Sequence, residues 1–183
     1  ALSKARGVAL PGAGKGRIKT LADIMGPFLA GLDERRKGKP SGGVTMGLRD
    51  WDSEIGMLSP GLIIIAGRAS MGKSALALKL ALHNAAEGGH VYLCSLEMTY
   101  DQLAARFLTA ATNAPHVPLP VLLTGRPSSA DVAAAMRAAG ELPGTLLHID
   151  AEQRMSMADI RARVMQLANE VDLRLVIVDY VGK

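Results

Sequence analysis

Apolar residues recur along this chain in two different periods. Four segments are short and nearly unbroken: 62–66, His90 to Ser95, Leu146 to Ile149 and Leu173 to Val178. Unbroken apolar runs of that length, bounded by polar residues, predict buried strands. Helical patterns fill the intervals. One spans 73–87 and ends near Gly88-Gly89, where glycine permits the left-handed exit of a helix. A second begins at Thr99, with Gln102 three residues on as a capping box, and a shorter one follows Ser128 or Ser129. Ser156 caps another, whose apolar face is Met157, Ile160, Val164, Leu167 and Val171. Strands alternating with helices predict an α/β fold: a mostly parallel sheet built from right-handed βαβ units and flanked by helices.

Upstream of that core, residues 20–38 carry Leu21, Ile24, Met25, Phe28, Leu29 and Leu32 on one helical face. Gly26-Pro27 should kink that helix or split it in two, because proline removes a hydrogen bond and crowds the preceding turn. The stripe needs a partner, either this domain or a neighbouring subunit. Asp33 to Lys39 is a charged exit, and Pro40-Ser41-Gly42-Gly43 reads as a linker. The expected division is therefore a basic tail and linker helix over 1–43 and a core over 44–183.

Bulk properties narrow the class. The 183 residues, 49% of them apolar, suffice for one α/β domain with an extension. The apolar runs are too short to span a membrane, and Ala1 to Arg17 lacks the apolar block of a secretory signal. Cys94 is the single cysteine, so no internal disulfide forms, which suits a cytoplasmic location. The net charge of +4 is uneven: residues 1–40 hold nine Lys and Arg against three Asp and Glu, whereas 41–183 hold twelve against fourteen. The basic arm suits electrostatic contact with nucleic acid, or a solvated linker. Aromatic residues are only 3%, which argues against a base-stacking platform.

The candidate chemistry follows the first apolar run. Gly67-Arg68-Ala69-Ser70-Met71-Gly72-Lys73-Ser74 is G-x-x-x-x-G-K-S between a predicted strand and a predicted helix, the context of a phosphate-binding P-loop. Gly67 and Gly72 allow a tight turn whose N–H groups, with the helix N-terminus, form an anion cup. Lys73 would reach the β- and γ-phosphates of a nucleotide such as ATP, and the Ser74 hydroxyl would ligate Mg²⁺. Pro11 to Gly16 resembles a second such loop but has Ala9 where the first glycine should stand and no strand before it. Asp179 ends the run Leu175-Val176-Ile177-Val178, the form of a metal-ordering carboxylate at the C-terminal end of a buried strand. Glu97 follows Val91 to Leu96; if that strand neighbours the P-loop strand, Glu97 faces the γ-phosphate and accepts a proton from the attacking water. The four histidines are scattered without metal-ligand spacing.

Taken in order, these motifs resemble the RecA-like ATPase domain of the DnaB family of replicative helicases. Gly47-Leu48-Arg49-Asp50-Trp51-Asp52 resembles its entry motif, and Ala66 to Ser74 with Ala75-Leu76-Ala77-Leu78 its P-loop and following helix. Ser95-Leu96-Glu97-Met98 resembles the segment of its catalytic glutamate. Thr124-Gly125-Arg126 and Leu147-His148-Ile149-Asp150 resemble later landmarks, and Val176-Ile177-Val178-Asp179-Tyr180 its Walker B strand. The resemblance covers about 45–181. It implies an ATP- and Mg²⁺-dependent helicase motor that assembles into a hexameric ring around single-stranded DNA. The linker helix 20–38 would dock on the adjacent subunit, with primase or a helicase loader as a further partner. Ala69 and Ala151 depart from the family, which usually has proline and a second acidic residue there. After Asp179-Tyr180 the family places an apolar residue and a nucleotide-sensing Gln, where this chain has Val181 and Gly182. The family's DNA-binding loops, arginine finger and N-terminal collar have no counterpart, which leaves open a fragment, an incompletely represented chain or a shortened relative.

Two other readings stay open. The chain could be a nucleotide-binding module that joins or blocks a helicase ring through its arm helix, without turnover of its own. It could also belong to another RecA-like branch acting in recombination or repair.

Overall fold

The computed structural model describes residues 19–37, 43–68, 70–110 and 117–179. Two units divide at Ser41 and Gly42. In the first, α1 (Leu21–Arg36) begins at a reciprocal cap. The Thr20 amide donates to Asp23 Oδ2 at 2.9 Å, and the Asp23 amide returns to Thr20 Oγ1 at 3.3 Å. The helix runs on through Pro27, so the expected division at Gly26-Pro27 does not occur. Proline costs one backbone bond, and a capped helix of 16 residues has enough remaining bonds to propagate through it. Leu21, Ile24, Met25, Phe28, Leu29 and Leu32 are all exposed within this chain.

The second unit holds a parallel sheet in the order β2–β1–β3, with β1 (His90–Ser95), β2 (Leu147–Asp150) and β3 (Leu173–Asp179). Its helices are α2 (Arg49–Glu54), α3 (Lys73–Ala86), α4 (Tyr100–Ala110), α5 (Leu119–Leu123), α6 (Ser129–Glu141) and α7 (Met157–Glu170). The strand period of two sorts β1 between two layers. Val91 packs with Ala81 and Ala85 of α3, and Leu93 with Leu78 of α3 and Leu103 and Phe107 of α4. Tyr92 and Cys94 face the other way, against Ile160, Val164 and Leu167 of α7. The result is a three-layer α/β/α core with β1 at its centre. Each fully buried side chain of leucine size contributes roughly 1.5–3 kcal/mol. Burial, followed by the charge of Asp150, pushes the Cys94 thiol up to about 11, which fits a core residue rather than a nucleophile.

The helix starts follow their local chemistry. Thr99 and Gln102 exchange backbone-to-side-chain bonds at the head of α4. Ser128 with Asp131, and Ser156 with Asp159, form full capping boxes. The helix after Ser128 is not the shorter one expected: α6 has 13 residues against 11 in α4. Its alanine-rich sequence, Ala133-Ala134-Ala135 and Ala138-Ala139, shows little periodicity but has high helix propensity. Helices α2 and α5, of six and five residues, are too short for a periodic pattern to reveal.

One expected strand is absent. Residues 62–66 make no strand pairing among the described residues, and Leu62 and Ile64 are 88% and 79% exposed. Both edges of β1 are already occupied by β2 and β3. An apolar run becomes a strand only where an edge accepts its N–H and C=O groups, and no described edge does so here.

The segment ahead of that run is tied to the far end of α3. Val44 and Leu58 form an antiparallel bridge, and the Met46 amide donates to Asp52 Oδ1 at 2.8 Å. Asn84 of α3 accepts from the Thr45 amide at 3.2 Å and donates to the Thr45 carbonyl at 2.8 Å. Gly47 has φ +68°, and a Cβ there would stand 2.6 Å from His83 Cγ, so both conformation and space demand glycine.

At the opposite end of the sheet, His90 Nδ1 and His148 Nε2 lie 3.1 Å apart. Burial, then the charge of His90, holds the His148 pKa below the usual imidazole value, while Glu170 opposes the shift. A histidine whose folded pKa is depressed binds more protons unfolded than folded. Its contribution to stability is therefore complete above the ordinary imidazole pKa and declines as pH falls through the lowered one. Urea titrations at about pH 7.5 and 5.5 should show a loss of stability that His148→Gln reduces.

Candidate nucleotide site

The turn 87–89 brings α3 directly back into β1, so helix and strand run antiparallel. Fourteen helical residues span about 21 Å and six strand residues about 20 Å. The N-terminus of α3 is thus level with the C-terminal edge of the sheet, where ligands bind in open α/β folds.

At that end the P-loop wraps its own lysine. Lys73 Nζ donates to the carbonyls of Gly67 and Arg68, each at 3.0 Å. The turn depends on Ser70 at φ 63° and Gly72 at φ 87°, and Gly72 is also the N-cap of α3. Gly67 keeps an ordinary φ, and a Cβ there would meet Lys73 only at 3.8 Å, so of the two glycines expected to allow the turn it is Gly72 that uses the positive φ, together with the non-glycine Ser70. Met71 is exposed, Ser74 lies half-buried in the first turn of α3, and Ala69 lies outside the described residues. Free N–H groups and the positive end of the helix dipole at Gly72–Ser74 favour a phosphate.

Two carboxylates stand on the same edge. Asp179 ends β3, paired in register with Ser95 of β1, and its carbonyl accepts from the Leu96 amide at 2.8 Å. The buried Ser95 Oγ accepts from the Met98 amide at 3.2 Å, which shapes the turn that presents exposed Glu97. The structure therefore brings Glu97 and Asp179 together at one strand end. The route differs from the one expected, since β1 lies between β2 and β3 and does not neighbour the run before the P-loop. Oxygen donors such as Ser74 and Asp179 suit Mg²⁺, which takes one or two protein ligands plus phosphate oxygens. Among the described residues no cluster of three or more His, Cys, Asp or Glu forms an alternative metal cage.

Beside this edge lies a polar group that the sequence pattern did not assemble, although Asp150 stood in one of its landmarks. Asp150, 6% exposed, ends β2 and accepts from Tyr92 Oη at 3.1 Å and from Arg163. Burial and that carboxylate raise the Tyr92 pKa. A carboxylate closing a buried strand, as at Asp179, was the available clue.

A family model for the DnaB-like helicase C-terminal domain matches residues 43–183. The chain belongs to that family. It is 31% identical over 169 residues to the replicative DNA helicase DnaB of Geobacillus stearothermophilus, covering 90% of this chain and 36% of that protein. With the DnaB of Rhodothermus marinus it shares 40% over 152 residues, 78% of this chain and 15% of the relative. The chain thus spans a minor part of the relatives it matches. A solved DnaB-like replicative helicase, described with its interactions with primase, aligns at a TM-score of 0.65 and 24% identity, over 86% of this chain and 38% of that one. The likeness shows the RecA-like DnaB ATPase fold. Domains of this DnaB-like family bind nucleotide. No described helix is long and apolar enough to cross a membrane.

Proposed function

We propose that this chain is the ATPase motor domain of a replicative DNA helicase, coupling ATP hydrolysis to translocation on single-stranded DNA and duplex unwinding. The observation that supports it is the seating of Lys73 inside the P-loop, level with the strand ends that carry Asp179 and Glu97. Arg68 to Gly72, Ala69 included, would offer backbone N–H groups to the phosphates. Lys73 would turn its ammonium from the two loop carbonyls to the β- and γ-phosphates, neutralising charge as the γ-phosphoryl leaves. Ser74 and Asp179 would hold Mg²⁺, which supplies charge neutralisation on the bridging phosphate oxygens. Glu97, exposed beside them, would take a proton from the attacking water.

The exposed stripe of α1 supports self-association into a ring, hexameric in this reading, with residues 20–38 docked on the next subunit. Primase or a helicase loader would bind the assembled ring, and the protein would act in the cytoplasm of a bacterium or of a phage host. A steady-state assay of ATP hydrolysis, with and without single-stranded DNA, tests the motor reading. Glu97→Gln should cut turnover at least about 100-fold while nucleotide binding persists. Nucleotide binding without turnover by the unsubstituted chain would favour a non-motor assembly module, which the same α1 stripe would serve.

A further inference from the structure

We propose that Arg163 and Gln153 are positioning residues for Glu97, holding the turn after β2 as a strut against the backbone of the glutamate loop. The inference rests on the reading of Glu97 as the group that activates water. Arg163 of α7 reaches across the C-terminal end of β2 with both guanidinium nitrogens. One Nη donates to the buried carboxylate of Asp150, and the other donates to Glu152 Oε2 at 2.5 Å. Tyr92 Oη and the Glu152 amide, the latter at 3.3 Å, donate to Asp150 as well. The carboxylate at the strand end is therefore fastened by three groups, and the first residues beyond it by the same arginine. One residue further on, Gln153 Nε2 donates to the Glu97 carbonyl at 3.5 Å.

Geometry connects the clamp to the catalytic edge. Asp150 pairs with Cys94, which pairs with Val178, one row behind Ser95 and Asp179. Glu97 lies between the Leu96 amide, which donates to the Asp179 carbonyl, and the Ser95–Met98 turn, so a donor reaching its own carbonyl from the neighbouring loop limits how that turn can tilt. A forked guanidinium satisfies two carboxylates at once, which a lysine ammonium reproduces poorly. Side-chain placement matters steeply for proton abstraction, where about 1 Å of misplacement costs up to ~100-fold.

Gln153→Ala is the decisive variant, because Gln153 is exposed and its loss leaves the core intact. Amide hydrogen exchange on the whole chain should show Leu96 and Met98 exchanging several-fold faster, with β3 unchanged. Turnover should fall about 3- to 10-fold at unaltered nucleotide affinity. On a Glu97→Gln background the same change should cost nothing further. Arg163→Ala should produce the larger version of both effects, and Arg163→Lys should restore them only in part. Unaltered exchange at Leu96 and Met98 in Gln153→Ala overturns the strut whether or not the chain turns over. Full turnover in Glu97→Gln instead removes the catalytic reading, and the exchange result then judges the strut alone.

Discussion

Lys73→Ala is expected to abolish measurable ATP hydrolysis and to weaken nucleotide binding. The ammonium is already held at the mouth of the loop by two carbonyls, those of Gly67 and Arg68, so little reorganisation separates it from phosphate oxygens. In the proposed reading its loss removes a charged donor from the transferring group. Removing one such donor typically costs on the order of 10²–10³ in turnover, and a full positive charge adds to that. Binding should fall by at least about tenfold, since one charge-assisted bond is worth roughly 1.5–3 kcal/mol. Phosphate release and fluorescent-nucleotide titration, beside a thermal melt, separate the effects. The melting temperature should hardly move, because Lys73 touches only the loop and the first turn of α3 while the core of that helix begins at Ala77. Unchanged turnover would overturn the site assignment.

What the sequence disclosed was local. The motif Gly67 to Ser74 spans eight residues, and its observed geometry is short-range too: Gly72 takes the positive φ of the turn and Lys73 donates to the carbonyls of Gly67 and Arg68. The caps expected at Thr99 and Ser156 are equally short-range, and both form. Strand order is a long-range property. Apolar content marked 62–66 and His90 to Ser95 alike, yet only the latter lies between two partners. The condition attached to Glu97, that its strand neighbour the run before the P-loop, is not met among the described strands, although β3 delivers Asp179 to the same edge as β1. Arg163 escaped notice because a helix-surface arginine looks like any other until the fold places Asp150 and Glu152 under it.

Asn84→Ala should be the most destabilising single polar substitution in the core, and it lies far from any phosphate. Asn84 is 2% exposed, and its amide also donates to the Leu80 carbonyl at 2.9 Å. Alanine there would leave the Thr45 N–H and C=O without their side-chain partner and would open a gap where the amide sat. An unsatisfied buried polar group costs about 1–3 kcal/mol, and here two backbone groups lose bonds at once, so roughly 2–4 kcal/mol is expected. In a chain of 183 residues each kcal/mol lowers the melting temperature by about 2–4 °C, which makes the change easy to read by calorimetry. Gly47 sits against His83 in the same junction, and His83 Nε2 bonds Thr45 Oγ1 at 2.7 Å, so these contacts seat the same segment beside Asn84. Increased proteolysis confined to 43–58, with α3 protected, would locate the loss at this junction; a fall of less than a degree would mean that water replaces the amide and that the segment is held by Met46 and Asp52 instead.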